Sequence, residues 1–218
     1  MLKFQLPIQK GKPLKVLCLG AHSDDIEIGC GGTILKLIES DKNIIGYWVV
    51  FSAGGKRKKE SSKSVDLFLK NAKEKNVVLK DFRDGFFPYI GGEIKEYFET
   101  LKRAFSPDLI FTHYRNDLHQ DHRLVSELTW NTFRDHLILE YEIPKYDGDL
   151  GCPNVYVHLE ETVADRKIST IINSFKSQAE NQWFSKETFQ SIMRLRGIES
   201  NAPGQYAEGF YGRKVVIL

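Results

Sequence analysis

Strand-type and helix-type segments alternate over about the first 130 residues, and that alternation restricts the fold more than any other feature of the chain. Residues 15–20 (KVLCLG) are a short apolar run of the buried-strand kind, and 32–40 (GTILKLIES) carry apolar residues at helical spacing. Residues 44–52 (IIGYWVVFS) are rich in β-branched and aromatic side chains and read as a second strand. A helix over 64–75, a strand over 77–82 and a helix over 94–105 follow, the last ending before Ser106-Pro107. Residues 108–112 (DLIFT) give a fourth strand and 121–133 another helix. The pattern predicts an α/β, Rossmann-like fold: a mostly parallel sheet with helices on both faces.

Beyond residue 135 the expected elements are strands at 139–141 and 155–158, helices at 163–179 and 186–196, and a closing strand pair, 206–210 with 214–217. No repeat or linker divides the chain, so residues 1–218 are read as one domain. In that reading the part from about 136 onward supplies a substrate loop and the closing elements.

Composition narrows the class further. The 41% apolar and 28% charged content is that of a globular protein able to build its own core. With 31 basic against 29 acidic residues, a net charge of +2 gives no electrostatic case for nucleic acid or an anionic membrane. No apolar run approaches a membrane span, and the opening MLKFQLPIQKGKPLKV lacks the apolar stretch of a signal peptide. Cys18, Cys30 and Cys152 are odd in number and lack CxxC spacing, so reduced thiols in a cytoplasmic protein are expected. A homo-oligomer is compatible with all of this.

Two segments carry the chemistry, and each follows an expected strand: GAHSDDIEIGCGG (20–32) and HYRNDLHQDH (113–122). Four of the six histidines and five carboxylates, Asp24, Asp25, Glu27, Asp117 and Asp121, fall within them. Loops leaving the carboxyl ends of parallel strands form the binding crevice of such sheets, so the two segments should meet. His22 and Asp25 are three apart, as are His119 and His122, so each pair faces one way on a helical turn. Two histidines and one aspartate from two loops suit a catalytic zinc site, which keeps one position open. Such an ion acidifies a bound water and polarises a carbonyl. Asp24 is available as general base and His119 as proton donor, with Asp121 or Asp117 to hold the His119 ring and keep it cationic.

The pair AHSDDIEIG and HYRNDLHQDH resembles the two signature motifs of the PIG-L, or LmbE-like, family of zinc-dependent deacetylases, usually written AHPDD(x)E and HxxDxHxDH. The resemblance implies a Rossmann-like fold and removal of acetyl groups from N-acetylglucosaminyl or related amino-sugar conjugates. It implies His22, Asp25 and His122 as zinc ligands, Asp24 as base, and His119, supported by Asp121, as acid or oxyanion partner. Arg57 and Glu60 resemble the family's RxxE segment, whose arginine contacts substrate. The stretch from Arg194-Leu-Arg-Gly to Tyr206-Ala-Glu-Gly-Phe resembles its R-x-R-G…YAE-x-F ending. Ser23 stands where the family has proline, and the second motif's leading histidine falls on Tyr114, with His113 one residue early.

Duller explanations compete at several positions. The glycines of Gly29-Cys-Gly-Gly32 serve either a phosphate cradle or, with more reason, a tight turn beside the site, since no GxGxxG stands here. The run KRKK (56–59) reads as a solvated loop, with Arg57 as a substrate contact. The acid- and aromatic-rich loop 140–149 places Glu142 or Asp147 before substrate hydroxyls, and Asp117 joins Arg57 and Glu142 among the expected substrate contacts. His136 and His158 are expected to be structural. The function expected is zinc-dependent hydrolysis of an N-acetyl group on a small-molecule amino-sugar conjugate. Iron, cobalt or manganese would suit the same donors. Two rivals remain: an amidase acting on another sugar-linked amide, and a nonenzymatic sugar- or nucleotide-binding module.

Overall fold

The computed structural model describes Lys3 and residues 11–216. One seven-stranded sheet runs in the order β3-β2-β1-β4-β5-β7-β6. Its strands are β1 (Leu14–His22), β2 (Ile44–Ser52), β3 (Glu74–Leu79), β4 (Leu109–His113), β5 (Leu137–Tyr141), β6 (Val155–Leu159) and β7 (Tyr206–Gly212). The first five are mutually parallel, while β7 lies antiparallel between β5 and β6. Helices α1 (Asp25–Ser40), α2 (Gly55–Phe68), α3 (Gly91–Ala104) and α4 (Gln120–Thr132) make the crossovers, and α5 (Glu161–Ser174) and α6 (Lys186–Glu199) precede β7.

Alternate residues of the central strands feed two cores. Val16 and Cys18 of β1 and Trp48 and Val50 of β2 pack with α1, α2, α5 and α6 through Ile34, Phe68, Ile171 and Met193. Leu17, Leu19, Val49 and Phe51, one residue out of phase, pack on the other face with Ile94 and Phe98 of α3 and Val125 of α4. The expected parallel sheet covered on both faces is therefore present. Among the described residues no helix is long and apolar enough to cross a membrane.

Several elements depart from expectation. Helix α1 begins at Asp25, not 32, so Gly29-Cys-Gly-Gly32 is neither a cradle nor a turn but buried helix interior. A Cβ on Gly29 would lie 2.1 Å from the Tyr141 ring, and one on Gly32 would lie 2.6 Å from Leu159. These glycines trade helix propensity for close approach of the sheet to the helix. Helix α2 takes in the basic run and ends at Phe68, so the helix expected over 64–75 is displaced and β3 starts earlier. Strand β7 pairs with β5 and β6 and has no hairpin partner at 214–216, which are not in a strand. Position 217 of that expected strand, and the opening stretch through residue 10 apart from Lys3, lie outside the described residues.

Candidate metal centre

The strand order switches between β1 and β4, with β2 and β3 added on one side and β5 on the other, the place where parallel sheets open a crevice. Both chemistry-bearing segments leave the sheet there. Strand β1 ends on His22, Asp24 caps α1, and Asp25 is its first residue. A carboxylate at a helix amino terminus is stabilised by the helix dipole, and Asp25 Oδ2 also accepts the His22 backbone N–H at 2.6 Å. Strand β4 ends on His113, and His119 caps α4, its Nδ1 accepting the Asp121 N–H at 3.2 Å.

The segments, 100 residues apart in sequence, converge to contact distance. His22 Nδ1 lies 3.1 Å from His122 Nε2. Asp25 Oδ2 lies 3.4 Å from His22 Nδ1, and its Oδ1 3.6 Å from His122 Nε2. Tetrahedral zinc with bonds of about 2.0–2.1 Å needs donors about 3.4 Å apart, which the two nitrogens approach, each with a different Asp25 oxygen beside it. His22, His119 and His122, and Asp25, His113 and His122, are donor sets whose ligand atoms lie within 4.8 Å of one another. The outward nitrogens are tied down. His122 Nδ1 meets Asp117 Oδ2 at 2.9 Å, while His22 Nε2 meets Asp84 Oδ1 at 3.0 Å and Asp121 Oδ2 at 3.3 Å. A carboxylate behind each imidazole keeps the ring proton on the far nitrogen and turns a lone pair inward.

The electrostatics agree. Burial alone would lower the His22 pKa, but Asp25, Asp121 and Asp84 together hold it well above the ordinary value, so this point favours positive charge, proton or metal. Burial and the neighbouring His113 push His122 down to about 3, leaving it a neutral donor. Burial would raise the Asp25 pKa, yet His122, His113 and His22 hold it well below the ordinary carboxylate value. His113, fully buried, stacks on His122 at 3.9 Å between ring centroids and sets its Nε2 3.2 Å from Asp25 Oδ2, so it packs directly against both residues.

Asp24 lies beside this set. Its Oδ1 accepts from Arg57 Nη2 at 2.6 Å, and its buried Oδ2 has no partner. Burial raises its pKa, against the opposing pull of Arg57. His119 stands against both of these histidines, with ring centroids 4.9 Å from His22 and 4.5 Å from His122. Four residues depart from expectation. Neither the Asp117 nor the Asp121 carboxylate holds the His119 ring, which bonds to the Asp121 backbone N–H instead: the Asp117 carboxylate accepts the His119 backbone N–H, and that of Asp121 accepts the N–H groups of Gly85 and Phe87. His119 is not kept cationic, because burial and nearby His22 lower its pKa. Glu142 is bound at both oxygens by Arg196, at 2.6 and 2.8 Å, instead of facing a substrate.

Arg57 reaches the site, whereas Glu60 turns away to the backbone and hydroxyl of Ser177. Asp84 was missed by sequence reasoning: an exposed acid in a polar loop carries no signal until the fold brings it to His22.

A sequence profile described as PIG-L: GlcNAc-PI de-N-acetylase matches residues 17–133, more than half the chain and all of both motifs. The chain belongs to the PIG-L family. Solved structures share the architecture at low identity. The conserved protein TT1542 from Thermus thermophilus is 18% identical, with TM-score 0.74, covering 94% of this chain and 97% of that one. N,N'-diacetylchitobiose deacetylase from Pyrococcus horikoshii is 22% identical, with TM-score 0.69 and coverages of 91% and 83%. GalB, the 4-carboxy-2-hydroxymuconate hydratase of Pseudomonas putida, is 15% identical, with TM-score 0.73 and coverages of 94% and 98%. A deacetylase and a hydratase thus share the scaffold, and the chemistry of this PIG-L member has to be argued from its site.

Proposed function

We propose that this protein is a metal-dependent amidohydrolase that removes the N-acetyl group from an N-acetylglucosamine-type sugar conjugate. The observation that carries the reading is the set His22, Asp25 and His122: the two ring nitrogens are 3.1 Å apart, each has one Asp25 oxygen at 3.4 or 3.6 Å, and a carboxylate stands behind each imidazole. Membership of the PIG-L family supports it. A divalent ion held there, zinc by its fit to these donors, supplies Lewis-acid polarisation of the acetamide carbonyl and acidifies water.

The remaining work falls to the chain. Asp24 Oδ2, buried and unpartnered, takes the proton from the attacking water. With Nδ1 accepting from Asp121 N–H, the His119 proton sits on Nε2, and its lowered pKa keeps the ring neutral. A neutral imidazole N–H stabilises the developing oxyanion as a hydrogen-bond donor. Asp24 then passes its proton to the leaving amine, so that amide and water yield acetate and free amine.

The direct test is acetate release from a panel of N-acetylglucosamine conjugates. Turnover should require zinc, disappear with chelator and return when zinc is restored. A purified protein that never takes up a divalent ion overturns the reading. One that binds zinc but frees no acetate from any conjugate overturns the substrate class.

Arg57 offers a second test. Asp24 acts only when ionised, and Arg57 is what opposes the upward push of burial on its pKa. In Arg57→Met that opposition is gone, so the acid limb of the kcat/KM profile should move to higher pH. A limb that stays in place or moves down would separate Arg57 from Asp24.

A further inference from the structure

Asp117 has a partner besides His122, and it comes from a part of the chain beyond the PIG-L match. Lys145 lies in the loop 142–154 that follows β5. Its side chain is only 10% exposed, and its Nζ lies 3.0 Å from Asp117 Oδ2, the oxygen that also meets His122 Nδ1. The same ammonium pairs with Asp149, whose Oδ2 accepts the Leu118 N–H at 2.7 Å. The loop is anchored at its base as well. Arg196 grips Glu142 and donates to the Gly151 carbonyl at 3.1 Å, and Asn154 exchanges hydrogen bonds with the Gly212 backbone. Lys145 is therefore delivered to Asp117 by a segment fixed at both ends.

We propose that Lys145 is a positioning residue for the metal ligand His122, acting through Asp117; this rests on the metal reading above. The Asp117 carboxylate is held at three points: His119 N–H on Oδ1, and His122 Nδ1 and Lys145 Nζ on Oδ2. The first two belong to the metal-binding segment itself and move with it. Among the described residues Lys145 alone ties the carboxylate to a separate element, and so helps fix the plane in which Oδ2 meets the imidazole. Without it, the Asp117 carboxylate keeps only the two hydrogen bonds made within its own segment, and the inward nitrogen of His122 is held less firmly in direction.

Electrostatics gives the opposite sign, which makes the idea decidable. Removing a positive charge from the neighbourhood of a cation strengthens cation binding, whereas loosening a ligand weakens it. Changes behind a ligating histidine typically cost about 10–100-fold in metal affinity. Lys145 stands one partner further out, so the low end of that range is expected.

The experiment is zinc affinity of the full chain, measured by competition with a chromogenic chelator. Lys145→Met should bind zinc about 10-fold more weakly. Lys145→Arg, which keeps a cationic donor, should recover most of that loss. In the zinc-free protein, the His122 Nδ1 proton should give a slowly exchanging resonance in the wild type and in Lys145→Arg, and lose it in Lys145→Met. Zinc binding by Lys145→Met as tight as the wild type's, or tighter, overturns the proposal. Should that variant not fold, Lys145→Gln removes the same charge and keeps a polar side chain, so electrostatics again predicts tighter binding. A loss of affinity there supports the role, and unchanged or tighter binding overturns it. A wild-type protein that takes up no zinc would instead overturn the metal reading itself.

Discussion

Asn in place of Asp24 is expected to leave zinc binding intact and to slow turnover by about 100-fold or more, the usual loss on removing a general base. The geometry separates the two effects. The inward-facing donors are on His22, Asp25 and His122, while Asp24 Oδ1 turns to Arg57 and Oδ2 is unpartnered. An asparagine oxygen still accepts from Arg57, so the local packing survives. What is lost is a site that takes and returns a proton. The loss should appear in kcat with little change in KM, because proton transfer belongs to the transition state. Folding raises the Asp24 pKa, so its ionised form opposes folding, and the variant should be no less stable than the parent at neutral pH. Metal content and acetate release measured on the same preparation decide the matter. Near-normal rates remove Asp24 from the mechanism.

What the sequence revealed and what it hid follow from the range of the interactions. The runs KVLCLG, IIGYWVVFS and DLIFT are central strands covered on both faces, and that environment demands unbroken apolar sequence. The two His/Asp segments were legible for a related reason: each directly follows such a strand, and the topology places β1 beside β4. Helix α2 was misread because its buried face is built from Ser61, Ser64, Val65 and Phe68, so apolar periodicity appears only in its last turn. The start of α1 was hidden by glycines whose low helix propensity is outweighed by packing against Tyr141, Phe68 and Leu159. Glu142 looked like a substrate contact because its partner, Arg196, lies 54 residues further on. No local pattern marks a pairing across that distance.

The largest expected effect on stability lies at a second long-range pair, and it bears on the candidate metal centre through α1. Glu208 of β7, in the YAE-x-F ending, reaches α1 with both oxygens. Oε1 accepts from Gly32 N at 2.8 Å and Lys167 Nζ at 2.6 Å, while Oε2 accepts from Thr33 N at 2.7 Å and Thr33 Oγ1 at 2.6 Å. Lys167, on α5 and 2% exposed, also donates to the Ile28 carbonyl at 2.6 Å. The helix whose first turn carries Asp25, and whose cap is Asp24, is thus fastened at mid-length to elements from the far end of the chain. Glu208→Ala leaves a buried ammonium without its counter-ion, which typically costs about 3–5 kcal/mol. At about 2–4 °C per kcal/mol for a chain of this size, Tm should fall by roughly 6–20 °C. Lys167→Met should cost less, because Glu208 keeps three donors on α1 whereas Lys167 without Glu208 keeps only one carbonyl. Replacing both by apolar residues of similar volume should recover much of the loss, since it removes the buried charges together. Thermal unfolding of the two single variants and the double variant reads this asymmetry directly, and a Glu208→Ala protein that melts within a degree or two of the parent would show that the pair does not fasten α1.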